Sequence, residues 1–134
     1  MPYGIPCPDP LIILNSYLEG FRGDDLITAF CVQLAESDGY ASAIHQNPIE
    51  PRKKSSGSVD RGIWQFNSFW HSEVTDAQAF NIRAANRAAY ALYVKSKGFS
   101  QWNTYQNGAH LPFVQRAHKA LADAQSIIGW IQEA

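Results

Sequence analysis

Glu36 is the first candidate for acid–base chemistry in this sequence. It follows residues 29–35, a mostly apolar run with helical spacing, so it falls at the C-terminal end of a predicted helix. The helix dipole and the apolar neighbours both disfavour the ionised carboxylate and should raise its pKa. A raised pKa suits a general acid that works near neutral pH. The alternative is an exposed glutamate that merely ends a helix.

Asp60 is the second candidate. It precedes Gly62, which permits a tight backbone turn, and a polar loop separates it from Glu36. Glycoside hydrolases usually use two carboxyl groups that face each other across a cleft. Taken alone, an aspartate close to a glycine also fits an ordinary turn.

A mainly helical framework must position these two acids. Helical patterns occupy four segments: residues 11–18, 24–36, 76–97 and those after Pro112. We expect the stripe of the last helix to continue to Ile131, with Trp130 packed at its end. No segment alternates clearly between apolar and polar residues, so strands are expected only in a small loop or β-hairpin near residues 43–60.

Length and composition exclude several classes of protein. The chain has 134 residues, 46% hydrophobic and 17% charged, with a formal net charge of −1. This supports one domain over residues 1–134, with the proline-rich residues 1–10 as an extended arm. The near-neutral charge argues against a nucleic-acid partner, and no apolar run reaches the ~18 residues of a membrane span. Residues 1–10 also lack the pattern of a secretory signal.

The sequence predicts neither a metal site nor a cofactor. The four histidines have no metal-ligand spacing, and we interpret them as surface or supporting residues. The two cysteines are too few for a disulfide framework or a zinc site. Cys31 lies in an apolar helical pattern, so we expect a buried free thiol there rather than a disulfide with Cys7.

Three short motifs, in order, resemble those of the lysozyme-like superfamily. They are Ala-Glu-Ser at residues 35–37, Gly-Ile-Trp-Gln-Phe-Asn at 62–67 and Gly-Phe-Ser-Gln-Trp-Asn-Thr-Tyr at 98–105. The superfamily includes animal-type lysozymes, soluble lytic transglycosylases and muralytic domains of phage tails. The resemblance covers about residues 24–110 and implies an α+β fold, in which a helical bundle and a small lobe surround a substrate cleft.

The resemblance also implies roles for individual residues. Glu36 matches the catalytic acid, and Asp60 matches the second carboxylate of the animal-type lysozymes. Gln65 and Asn67 match cleft positions that contact the N-acetyl groups of the sugar. Trp102 matches an aromatic residue that packs near the acid and removes water from it.

Three further residues are expected in the substrate-binding site. Ser37 completes the Glu-Ser motif, Tyr105 ends the third motif, and Trp70 follows Asn67 where lysozymes often present an aromatic ring to a sugar. For Trp70, stacking on a sugar and packing in the core remain alternatives. Trp64, between Ile63 and Gln65, is expected in the core.

The function implied is that of a lysozyme acting on bacterial cell-wall peptidoglycan as a monomeric domain. It would hydrolyse the β-1,4 bond between N-acetylmuramic acid and N-acetylglucosamine. The alternatives are a lytic transglycosylase that forms 1,6-anhydro products and a non-catalytic wall-binding module of a virion. The phage-like stretch at residues 58–62 and the missing secretory signal predict delivery in a phage tail, beside other tail proteins, or release into the host periplasm or wall.

Overall fold

The computed structural model describes residues 3–127 and Gly129. Ile128, Trp130 and Ile131, which the sequence assigns to the last helix, lie outside the described residues. Within the described part of the chain, no helix is both long enough and apolar enough to cross a membrane.

Helices form most of the regular structure in the described residues, and one small sheet interrupts their order. The elements are α1 (Asp9–Glu19), α2 (Gly23–Ser37), β1 (Ile44–Gln46), β2 (Val59–Arg61), β3 (Phe66–Asn67), α3 (Asp76–Ala79), α4 (Ile82–Ser96), α5 (Asn103–Gln106), a 3₁₀-helix (Leu111–Phe113) and α6 (Val114–Ile127). This mainly α arrangement with a small antiparallel sheet confirms the predicted fold class.

Two predicted boundaries are wrong, the first because proline fits the first turn of a helix and the second because a side-chain cap starts a new helix. The proline-rich arm ends at Pro8 and not at residue 10, because a proline is tolerated in the first turn of α1, where its missing N–H has no helical partner. The alanine-rich segment 76–97 is two helices rather than one. The side chain of Asn81 accepts a hydrogen bond from the N–H of Ala84, and this cap starts α4 after the short α3.

The core of the helical part contains a closed ring of polar side chains. Gln33 of α2 donates to the Ser16 hydroxyl of α1 (2.8 Å), Ser16 donates to Asn86 of α4 (2.7 Å), and Asn86 donates back to Gln33 (3.1 Å). All three side chains are fully buried. Ser16 is therefore buried in the core, whereas the apolar Leu11 and Leu18 of the same helix remain exposed.

The three strands form an antiparallel sheet in the order β1-β2-β3. The register pairs His45 with Asp60 and Asp60 with Asn67. Paired residues in antiparallel strands project to the same face of a sheet, so these three side chains form one row. The predicted small β element near residues 43–60 is confirmed, and it extends to Asn67.

Gly62 and Arg61 fix this sheet to the helices. A Cβ atom on Gly62, which has a φ of +80°, would lie 1.8 Å from the carbonyl oxygen of Ala79 at the end of α3. The buried guanidinium of Arg61 donates to the carbonyl oxygens of Phe66 (3.1 Å) and Val74 (2.8 Å). The position of the sheet against α3 is therefore set by backbone contacts.

We expect Gly62→Ala to destabilise the protein by at least ~2 kcal/mol, because the new methyl group collides with backbone and cannot move aside. Gly108→Ala is a matched control, because Gly108 has the same φ of +80° but only an ordinary contact of 3.5 Å with a Leu111 methyl carbon. Denaturant unfolding of both variants measures the difference. Equal losses of stability would show that the contact with Ala79 has no effect.

Candidate active site

Glu36 lies in the last turn of α2, and its carboxylate is partly buried. The Thr104 hydroxyl, from α5, donates a hydrogen bond of 2.7 Å to its Oε2 atom. The helix ends at Asp38, which adopts a left-handed conformation with φ of 55°. The negative end of the helix dipole therefore lies beside Glu36 and disfavours its ionised form.

The surroundings of Glu36 raise its pKa above the ordinary value for glutamate. Burial is the largest cause, because it removes water from the charged form. The hydrogen bond from Thr104 acts in the opposite direction by favouring the carboxylate. The negative charge of Asp60 raises the pKa further, so the two carboxyl groups interact electrostatically. The sequence predicted the direction of this shift and burial as one of its causes, but not the contribution of Asp60.

Asp60, in the middle of β2, is held by two side-chain amides. Asn67 donates to its Oδ1 atom at 2.9 Å, and Asn47 donates to its Oδ2 atom at 3.2 Å. The amide oxygen of Asn67 in turn accepts the backbone N–H groups of Phe69 and Trp70. Because those two bonds hold the amide oxygen, the NH₂ group of Asn67 faces Asp60. Its hydrogen bond then orients the Asp60 carboxylate.

Both acids line one cleft with a cavity volume of about 340 Å³. Glu36 comes from the helical wall and Asp60 from the sheet, while Asn67 and Trp70 extend the sheet side. Trp70 is 61% exposed, which excludes core packing for this residue. A large exposed aromatic ring in a cleft is suited to contact with the face of a ring-shaped ligand.

A second compartment of the cleft, of about 450 Å³, lies on another side of Glu36. It shares Glu36 and Gln65 with the first compartment. His45, interpreted from the sequence as a surface or supporting residue, lines it together with Phe113 from the turn before α6. Glu36 therefore stands where two ligand-sized spaces meet.

Trp102 and Trp64 form the aromatic base of the site. Trp102 is only 5% exposed and lines the first compartment beside Glu36. Its Nε1–H group donates to the carbonyl oxygen of Trp64 at 3.1 Å, and the two ring centroids are 4.8 Å apart. Trp64 is fully buried, which confirms its predicted place in the core.

Ser37 and Gln65 line the cleft, but their polar atoms also hold the protein together. The Ser37 hydroxyl lies 2.8 Å from the carbonyl oxygen of Ile63. The Gln65 amide donates to the carbonyl oxygen of Gly62 at 2.8 Å, and Gln65 itself has a positive φ of 52°. The structure thus gives both residues a positioning role beside any contact with substrate.

Tyr105 is the one predicted site residue that does not line either compartment. Its ring packs against Phe99 (5.6 Å between centroids) and His110 (5.0 Å) on the outer side of α5. Its placement does not support the predicted contact with substrate. The motif at residues 98–105 does place Trp102 at the cleft.

Sequence reasoning missed two residues that contact the acids. Thr104 lies within the third motif, two residues after Trp102, and this position could have indicated a place in the site. Asn47 lies in the loop after β1, and nothing in the local sequence distinguishes it from other polar loop residues. Both are recognised only through bonds to Glu36 and Asp60 that span long stretches of the chain.

The described residues contain no cluster of three or more potential metal ligands. Cys7 and Cys31 are both free thiols, which confirms the prediction for this pair. Burial raises the pKa of Cys31 to about 11, so its thiol stays protonated and unreactive near neutral pH.

Most of the sequence matches a known family. A family model described as a lysozyme-like domain matches residues 15–104, which is most of the chain and includes Glu36, Asp60 and Trp102. The protein belongs to this family, and membership supports an enzyme that acts on peptidoglycan. The comparison with curated proteins gives no significant match.

We expect two substitutions to move the pKa of Glu36 in opposite directions. Thr104→Val removes a hydrogen bond to the carboxylate, so the pKa should rise further. Asp60→Asn removes a nearby negative charge, so the pKa should fall. Titration of the Glu36 side-chain carboxyl carbon by ¹³C NMR measures both shifts. Shifts of the same sign would contradict this account of the site.

Proposed function

We propose that this protein is a lysozyme that hydrolyses the β-1,4 bond between N-acetylmuramic acid and N-acetylglucosamine in peptidoglycan. The observation that carries the proposal is the unequal pair of carboxyl groups in one cleft. Glu36 is partly buried with a raised pKa, whereas Asp60 accepts two amide hydrogen bonds. Two carboxyl groups in different environments can take the separate roles that glycoside hydrolysis requires.

Glu36 acts as the general acid in this mechanism. Its raised pKa keeps a proton available, and that proton passes to the glycosidic oxygen as the bond to the anomeric carbon breaks. The negative charge of Asp60 opposes the positive charge that develops on the sugar ring. In the second half of the reaction, the oxygen of a water molecule bonds to the anomeric carbon while one of its protons returns to the Glu36 carboxylate, and the sugar is released with a reducing end.

These roles assign the two compartments to the two halves of the substrate. The ring that gains positive charge must lie over Asp60, so the first compartment, with Asn67 and Trp70, holds it. Glu36 must lie at the oxygen between the two sugars. The leaving sugar then occupies the second compartment, between His45 and Phe113. We call this second space the leaving-group compartment.

We expect Glu36→Gln to lower peptidoglycan turnover by about 10²- to 10⁴-fold, the contribution of a well-placed general acid. The variant should melt no lower than the wild type at neutral pH. A carboxyl group whose pKa is raised by folding supports the folded state at low pH, and this support is lost as pH rises through the raised value. Glutamine does not ionise and avoids that loss.

Turbidity loss of purified cell walls measures the activity, and a thermal melt measures the stability. Glu50→Gln is the matched control, because Glu50 pairs with Lys53 on an exposed loop away from both acids. A folded Glu36→Gln protein with at least a tenth of the wild-type rate would exclude Glu36 as the acid.

We expect Asp60→Asn to lower the rate of hydrolysis by about 10²-fold or more, because a neutral amide cannot oppose the developing charge. Stability should change little. The new amide oxygen can face the Asn67 donor, and the Asn47 amide can turn to accept from the new NH₂ group. Near-wild-type activity would contradict the proposed role of Asp60.

Mass spectrometry of the products tests the reaction type in the same experiment. Reducing-end sugars from the wild type support hydrolysis. Products with a 1,6-anhydro ring, together with an active Asp60→Asn protein, would establish a lytic transglycosylase instead, in which Glu36 serves as acid and then base. A wall-binding protein without activity would support the non-catalytic virion module. Delivery by a phage stays a prediction from the sequence.

A further inference from the structure

The N-terminal arm, residues 3–8, is fastened along the edge of the cleft. The Tyr3 hydroxyl donates to the carbonyl oxygen of Ile44 at 2.8 Å, and the Ser42 hydroxyl donates to the carbonyl oxygen of Tyr3 at 2.8 Å. Further along, the N–H group of Cys7 donates to the carbonyl oxygen of Gly39 at 2.9 Å. The arm is therefore held at both ends against the segment that joins α2 to β1.

Tyr3 lines the leaving-group compartment together with Phe113. Both residues lie outside residues 15–104, the part of the chain that matches the family. The compartment thus combines residues of the matched region, among them Glu36 and His45, with two aromatic rings that the matched region does not supply. Both rings therefore come from parts of the chain outside the matched residues.

The Tyr3 hydroxyl cannot donate its proton to a ligand, because the protein already uses that proton in a hydrogen bond. Its hydroxyl and its carbonyl oxygen both make hydrogen bonds to neighbouring segments, and its ring lies 5.8 Å from that of Tyr40 in a tilted arrangement. What Tyr3 offers to a ligand in the compartment is therefore its aromatic surface. An aromatic surface that is fixed before binding contributes contact area at little cost in conformational entropy.

We propose that Tyr3 is a specificity-determining residue that binds the leaving-group saccharide of peptidoglycan through its ring. The proposal rests on the function proposed above, because that function assigns the leaving sugar to this compartment. Contacts with the leaving sugar lie away from the bond that breaks. Such remote binding energy orients the glycosidic oxygen at Glu36, and substrates that lack the remote group cannot gain it.

The test compares two substrates that share the sugar bound over Asp60. One is polymeric peptidoglycan, and the other is a glycosyl fluoride of the same sugars, whose one-atom leaving group cannot reach the Tyr3 ring. We expect Tyr3→Ala to lower kcat/KM on the polymer roughly 10-fold, the scale of one lost side-chain contact in a binding pocket. On the small substrate, kcat/KM should stay within about twofold of the wild type.

Two variants control for effects on the arm itself. Tyr3→Phe keeps the ring and loses only the hydrogen bond to Ile44, so it should retain most of the activity on the polymer. Ile5 lies on the same arm, is 90% exposed and does not line the compartment. Ile5→Ala should therefore match the wild type on both substrates. Equal losses on both substrates in Tyr3→Ala, or no loss on either, would overturn the proposal.

A binding measurement decides the role of Tyr3 even without turnover. In the Glu36→Gln background, calorimetry with a soluble peptidoglycan tetrasaccharide should show roughly 10-fold weaker binding when Tyr3→Ala is added. Unchanged binding would overturn the proposal. If the wild type cleaves neither substrate, the proposed hydrolysis is wrong, while the calorimetric comparison still gives its own answer for Tyr3.

Discussion

The turn at residues 62–65 is the point on which the active-site geometry depends. The Ser37 hydroxyl reaches the Ile63 carbonyl oxygen from the end of α2, and the Trp102 indole N–H donates to the Trp64 carbonyl oxygen from the segment before α5. Ser37 adjoins Glu36, and the turn directly follows the strand that carries Asp60. Two hydrogen bonds to adjacent carbonyl groups thus connect three separate parts of the chain.

The electrostatics of Glu36 follow from this arrangement. The junction brings Glu36 and Trp102 into one cleft, where burial removes water from the Glu36 carboxyl group, and it places Asp60 close enough to add its charge. Thr104, from the same segment as Trp102, opposes both effects through one hydrogen bond. The pKa is therefore set by competing contacts from three elements, and a shift in any one of them changes the proton affinity of the acid.

The sequence contains enough information to predict the acids but not their partners. Glu36 could be predicted because an apolar helical run ends beside it, and Asp60 because it precedes Gly62 and the motif at 62–67. Local patterns of this kind can be recognised in a single sequence without knowledge of the fold. The Asn47 and Thr104 bonds arise only when distant segments meet, so no spacing rule predicts them.

The errors in the fold have the same origin. The break between α3 and α4 depends on the caps at Thr75 and Asn81, and alanine content alone does not reveal it. Ser16 is buried because Gln33 and Asn86 satisfy it, although a serine in a helix usually indicates an exposed position. In each case a side-chain hydrogen bond outweighed the average structural preference of the residue type.

The buried ring of Ser16, Gln33 and Asn86 limits where the Glu36 side chain can lie. Its three hydrogen bonds close only when α2 keeps one rotational setting between α1 and α4. A slip of α2 by one residue would turn its side chains by roughly 100° and leave buried amides unpaired at about 1–3 kcal/mol each. The same slip would swing Glu36 out of the cleft. The ring thus fixes the rotation of α2 from within the core, and with it which residue of the helix faces the cleft.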